Sequence, residues 1–157
     1  MSHSTQFALC QAALLAGEPL RLRIRGTSMV PALWPGESVT IDSLDMKCIK
    51  IGQIVVFSRD GHFVIHRVVR IDPPVDGTND GTMVTRGDTA VRDDAPVLRS
   101  EYLGAVAAVH RFGAARPVRL KPSRSARAVA SLIRRSDLAR RLLDRLSMLV
   151  ARKADIG

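Results

Sequence analysis

Residues 53–71 read Gln53-Ile54-Val55-Val56-Phe57-Ser58-Arg59-Asp60-Gly61-His62-Phe63-Val64-Ile65-His66-Arg67-Val68-Val69-Arg70-Ile71. Ile54 to Phe57 is an unbroken apolar run, the pattern of a strand buried on both faces. Asp60-Gly61 is a strong hairpin signal, because both positions of the tight turn need positive φ. Phe63–Ile71 then reads as the return strand. Alternation along it puts His66 on the face opposite Ile65 and Arg67.

Working outward, Leu20, Leu22 and Ile24 alternate with Arg21, Arg23 and Arg25, a half-buried strand. Ser38–Ile41 follows the turn Trp34-Pro35-Gly36-Glu37, and Thr82–Arg86 and Tyr102–Val109 are further strands. Pro73–Gly81 is rich in Pro, Gly, Asp and Asn and reads as a loop. Short strands at this spacing predict a mainly β fold, a compact barrel or sandwich. Residues 5–16 read as a short helix with Ser4 or Thr5 as N-cap and Gly17 as its stop. Residues 114–124, with Pro117 and Pro122, read as a boundary. Beyond them a helix capped by Ser123 or Ser125 is expected from about 125 to 152, broken near Ser136-Asp137. Its apolar stripe contains Val129, Leu132, Ile133, Leu142, Leu143, Leu146, Leu149 and Val150. The chain thus divides into a short helix (1–19), a β body (20–113) and a basic helical tail (114–157).

Charge follows the same division. Residues 1–115 hold 12 Lys and Arg against 12 Asp and Glu, whereas residues 116–157 hold 12 against 3 and carry the whole net charge of +9. An electrostatic partner is therefore expected at the tail. The first reading of the tail is a helix packed on the β body with its arginines solvated; the second is a peripheral contact of residues 123–157 with an anionic membrane. Nucleic acid is disfavoured, since no aromatic residues interleave with the arginines and no DNA-binding motif is present. Cys10 and Cys48 are too few for a disulfide framework and lack metal-ligand spacing. His62 and His66 are four apart, but no third ligand accompanies them, so neither a metal nor a cofactor is expected. No run approaches the ~18 apolar residues that cross a bilayer. The apolar stretch Phe7–Ala16 lacks the basic flank and cleavage site of a secretory signal. A cytoplasmic or peripheral-membrane protein is the expectation.

Four short motifs carry chemistry. They are Gly26-Thr27-Ser28-Met29-Val30-Pro31, Ile65-His66-Arg67-Val68-Val69, Thr85-Arg86-Gly87-Asp88 and Asp93-Asp94. In this order they supply a serine, a histidine and a choice of carboxylates, the parts for nucleophilic acyl transfer. Gly26 and Pro31 restrict the backbone around Ser28, which favours a fixed, exposed turn. Histidine suits the role of base because it can be neutral near pH 7. Taken singly, each motif has an ordinary reading: a serine in a strand-exit turn, a hydrogen-bonded strand histidine, solvated loop carboxylates. Residue chemistry alone leaves open which of Asp88, Asp93 and Asp94 orients His66.

These motifs, with Gly36-Glu37, Lys50-Ile51-Gly52-Gln53-Ile54-Val55-Val56-Phe57 and Leu103-Gly104, resemble the type I signal peptidase family over roughly residues 20–109. The likeness is to the endoplasmic-reticulum and archaeal branch, in which the base is histidine. Bacterial members and the related LexA-type self-cleaving repressors carry lysine there. The resemblance implies Ser28 as nucleophile, His66 as general base, Asp94 as triad acid and Asp88 as a neighbouring required carboxylate. Thr27, Met29 and Pro31 would border the substrate. Some relatives use a side-chain hydroxyl two residues before the serine in the oxyanion hole. Gly26 stands at that position, so backbone N–H groups, including that of Ser28, are expected to serve. The implied activity is a serine endopeptidase cutting an extended peptide or precursor protein after small residues. Departures from the family are the short helix where an anchor is usual, Glu37 where Asp is usual, and the basic tail. They keep a second expectation in view: a non-catalytic peptide-binding or membrane-surface regulatory module on the same fold.

Overall fold

A computed structural model describes residues 3–74, 81–111, 114–118 and 123–136, together with 138, 139, 141 and 145. Helix α1 (His3–Leu15) is followed by strands β1 (Leu20–Arg23), β2 (Ser38–Asp42), β3 (Ile54–Arg59), β4 (His62–Asp72), β5 (Thr82–Arg86), β6 (Tyr102–Arg111) and β7 (Ala114–Pro117), and then by helix α2 (Arg124–Arg135). The strands form one antiparallel sheet in the order β1-β2-β6-β3-β4-β5, with β7 also on β6. The fold is mainly β, as the strand pattern predicts. The sheet is not closed into a barrel: β1 and β5 stand at opposite ends of the strand order.

The hairpin forms where the sequence places it. Asp60 and Gly61 both adopt positive φ, 50° and 74°, which bends β3 directly into β4. The apolar run of β3 serves two faces. Ile54 and Val56 join a core cluster with Leu14, Ile24, Met29, Leu33 and Val39. Val55 and Phe57 join a second cluster with Val68, Met83, Val97 and Tyr102. Period-two alternation in a central strand with both faces covered produces this split.

β4 changes partners midway. Its residues 62–67 pair with β3, and residues 67–72 pair on the other side with β5, so among the described residues no strand covers the second edge of His62–His66. β1 likewise pairs only with β2. These two uncovered edges border a single cleft of about 680 Å³. Helix α1 closes one side. It carries no charged residue among Thr5–Leu15, buries Leu14 and packs Phe7 and Cys10 against the first cluster. The Phe7 and Phe63 rings lie 6.2 Å apart.

One expectation about the C-terminal part changes. The boundary expected at 114–124 contains β7, which pairs with β6 from Arg111↔Ala114 to Ala108↔Pro117. Pro117 is tolerated because it ends the strand. The break expected near Ser136-Asp137 is present: α2 ends at Arg135, Ser136 is extended (φ −118°, ψ 109°), and Leu138, Ala139, Arg141 and Arg145 are helical beyond it. Ser123 caps α2 by accepting from the Ala126 N–H at 3.1 Å. Ala130 and Ile133 are buried, while Val129, Leu132 and Leu138 are exposed. The expected stripe residues Leu142, Leu143, Leu146, Leu149 and Val150 lie outside the described residues, as do positions 75–80 of the expected loop.

Candidate active site

The chain leaves β1 through Ile24, whose N–H donates to Glu37 O at 2.8 Å and whose carbonyl accepts from Gly36 N. It then turns at Gly26–Ser28. Met29, Val30 and Leu33 are 2%, 0% and 0% exposed, so the residues after Ser28 are anchored in the core. The Val30–Pro31 peptide is cis. A loop from the far side of the sheet pins the turn, with Thr89 N–H and Oγ1 both donating to Ser28 O, at 2.9 and 3.1 Å. Ser28 Oγ is thereby held at the mouth of the cleft.

His66 stands on β4 in register with Val55, just before the exchange of partners. Its Nδ1 donates to Asp94 Oδ2 at 2.6 Å, because a carboxylate can only accept. This leaves Nε2 to accept from Ser28 Oγ at 3.1 Å. Imidazole and carboxylate are both largely shielded, at 14% and 24% exposure. Thr85 Oγ1 donates to the same Asp94 oxygen at 2.7 Å, and Asp94 N–H donates to Thr85 O at 2.8 Å. Burial pushes the Asp94 carboxyl up, but the bonds from His66 and Thr85 and attraction to His66 and Arg59 outweigh it. The carboxyl therefore sits below its ordinary pKa. Arg59 also holds the loop after Asp94 through Ala95 O (2.9 Å), Pro96 O (3.0 Å) and Glu101 (2.8 Å).

The three candidate aspartates have three different partners. Asp94 meets His66. Asp88 forms a bidentate pair with Arg67 at 2.8 Å for both bonds, and Arg67 also donates to Gly52 O at 2.9 Å. Asp93 meets Arg86 at 3.2 Å. Asp88 thus braces the strand carrying His66 rather than touching the imidazole. Of the expected substrate neighbours, Met29 lines the cleft, whereas Thr27 and Pro31 are not in its lining. Gly26 lines it and offers no side-chain hydroxyl. Among the described residues, no acceptor is recorded for the Ser28 backbone N–H.

Several residues with roles here were quoted in motifs without a role, or passed over. Thr85 is wholly buried against the carboxylate. Gly87 touches the reacting pair: a Cβ on it would lie 2.9 Å from Ser28 O, 3.0 Å from Ser28 Cβ and 3.1 Å from His66 Nε2. Arg67 and Arg59 had been read only as strand residues. Their roles depend on which strands meet, a fact that local pattern does not carry. No group of three or more His, Cys, Asp or Glu placed to hold a metal occurs among the described residues. None of the described helices is long and apolar enough to cross a membrane.

Serine, imidazole and carboxylate in one hydrogen-bonded line, beside a cleft with two uncovered strand edges, can support nucleophilic attack on a carbonyl. No protein-family model and no curated protein matches the chain.

Proposed function

We propose that this protein is a serine endopeptidase of the signal-peptidase class that cuts an extended peptide or precursor protein. The observation that carries the reading is the line Asp94 Oδ2–His66 Nδ1, His66 Nε2–Ser28 Oγ, at 2.6 and 3.1 Å, opening on the cleft. In this reading Ser28 Oγ attacks the scissile carbonyl carbon while His66 Nε2 takes its proton. Asp94 stabilises the imidazolium that results and keeps its tautomer. The Ser28 N–H donates to the oxyanion that develops on the carbonyl oxygen. His66 then returns the proton to the leaving amine as the C–N bond breaks. Water, deprotonated by His66, releases the acyl group from Ser28.

The substrate lies extended between β1 and His62–His66, completing their ladders as an added strand. The family resemblance points to small residues just before the cut. The test is cleavage of a diverse peptide library read by mass spectrometry, with wild type and Ser28→Ala side by side. Cuts made by wild type and absent from Ser28→Ala support the reading. Equal cleavage by the two proteins ends it. Retained peptide binding with no cleavage by wild type would favour the non-catalytic module.

A peripheral membrane contact is a second part of the proposal. It rests on α2, where Val129 and Leu132 are exposed beside Arg127 and Arg135, and on the exposed Leu138 just beyond the break at Ser136. Apolar and cationic groups side by side on a helix favour anionic lipid.

A further inference from the structure

The outer face of β1 carries a row of arginines. Leu22 is half-buried and Ile24 buried, while Arg21, Arg23 and Arg25 are exposed. Arg23 and Arg25 line the same cleft as Ser28 and His66. Among the described residues, Arg59, Arg67, Arg70, Arg86, Arg99 and Arg111 each pair with a carboxylate, whereas no carboxylate partners Arg21, Arg23 or Arg25. The described lining of the cleft contains no aspartate or glutamate. Two cations thus stand without counter-charge along the one uncovered edge of β1.

We propose that the cleft selects acidic peptides, with Asp or Glu at two alternate positions seated against Arg23 and Arg25. The position of the cut relative to those acids rests on the peptidase reading above; the binding preference does not. A peptide added to β1 sets residue against residue, and paired side chains of neighbouring strands share a face. Side chains two residues apart recur every ~6.6 Å along a strand, which matches the spacing of Arg23 to Arg25. The intervening peptide side chains turn toward Leu22, Ile24 and Met29, an apolar wall. The recognised pattern is therefore acid, small or apolar, acid. β1 runs toward Ser28 and β4 runs toward His66, so a peptide between them is parallel to both or antiparallel to both. Both acids then fall on one side of the cut. Guanidinium groups suit this task because they hold a carboxylate through two parallel bonds.

The test uses the full chain with Ser28→Ala, so that peptide is bound and not consumed. The probes are dye-labelled eight-residue peptides alternating Ala with Glu, Ala with Gln and Ala with Lys, measured by fluorescence anisotropy. Two solvent-exposed pairs predict that the Glu peptide binds about tenfold more tightly than the Gln peptide. The Lys peptide should bind more weakly still. The preference should collapse at 1 M salt, where the screening length is ~3 Å. It should invert to favour Lys in R23E/R25E, which is expected to fold because both side chains are exposed. Equal affinity for the Glu and Gln peptides overturns the inference, and so does an acid preference that R23E/R25E leaves unchanged. Flotation with phosphatidylglycerol vesicles that R23E/R25E abolishes, alongside equal peptide affinities, would assign the arginines to lipid and likewise overturn it. Acid-selective binding without Ser28-dependent cleavage by wild type would defeat the peptidase reading and leave this inference standing. Cleavage with no acid preference on either side of the cut would do the reverse.

Discussion

At the scale of single residues, the site depends on contacts shorter than one methyl group. Gly87 leaves no room for a Cβ between Ser28 and His66. Gly87→Ala should therefore displace the Ser–His pair and lower kcat by about 10²-fold, the size expected of a displacement near 1 Å. Circular dichroism should show the sheet intact; an unchanged kcat would mean that the pair tolerates the shift. Asp94→Asn keeps the shape but frees the imidazole to adopt the wrong tautomer, and a loss of roughly 10⁴-fold in kcat is expected. The same substitution tests linkage. The Asp94 carboxyl is held below its ordinary value, so its stabilisation is present above the unfolded carboxylate pKa of ~3.9 and lost as pH falls through the lower folded value. The melting-temperature gap between wild type and Asp94→Asn should be full at pH 6 and shrink as pH falls below the unfolded carboxylate value of ~3.9. A gap independent of pH would show that charge on Asp94 contributes nothing to folding.

At the scale of elements, β4 does most to build the site. Its first half binds β3 and leaves one edge for a peptide; its second half binds β5, which sets Thr85 against Asp94, Gly87 beside Ser28 and His66, and Asp88 on Arg67. Arg67 sits at the exchange point, paired with Asp88, with side chains only 8% and 10% exposed. Removing one partner leaves the other charge buried and alone. Asp88→Ala should cost ~3–5 kcal/mol in urea unfolding, and the double change Arg67→Met, Asp88→Leu should cost less than Asp88→Ala alone. If the double change costs as much as the two single changes combined, the pair is not acting as a unit. The strands themselves were legible in sequence: β5 falls at Thr82–Arg86 and the β3–β4 turn at Asp60-Gly61, as read. These elements are governed by alternation and turn chemistry, which are local. β7 was missed because Ala114–Pro117 has no apolar alternation, and its pairing comes from the neighbouring β6. The end of α2 at Arg135 falls at the break read near Ser136-Asp137, where a serine and an aspartate interrupt the apolar spacing.

At the scale of the whole molecule, the uncharged helix α1, the open cleft and the basic tail divide the surface by chemistry. Helix α2 buries Ala130 and Ile133 and leaves Val129 and Leu132 outside, and Leu138 beyond its end is exposed as well. Those three side chains are exposed, so replacing all three with Ser should change stability by no more than ~0.5 kcal/mol per site. Flotation with anionic vesicles should nevertheless fall several-fold, while cleavage of a soluble peptide stays the same. Unchanged flotation would remove the membrane contact from the proposal.

Sequence by itself determined the strands β1 to β6, the hairpin, the two-faced burial of Ile54–Phe57 and the residue types available for chemistry. Each of these follows from periodicity, turn geometry or side-chain identity within a few positions. Residue chemistry left open which of Asp88, Asp93 and Asp94 reaches His66, since the three differ by at most six positions and share one chemistry; the resemblance pointed to Asp94, and the tertiary structure places it there. Tertiary structure alone decided that Arg67 takes Asp88, that Gly87 fills the gap beside Ser28, and that the sheet stays open between β1 and His62–His66. Those outcomes depend on strand order and register, through which Ser28 and Asp94, 38 and 28 positions away in sequence, come within hydrogen-bond reach of His66. Register is a property of the assembled sheet, and a one-residue slip would reverse every face it presents.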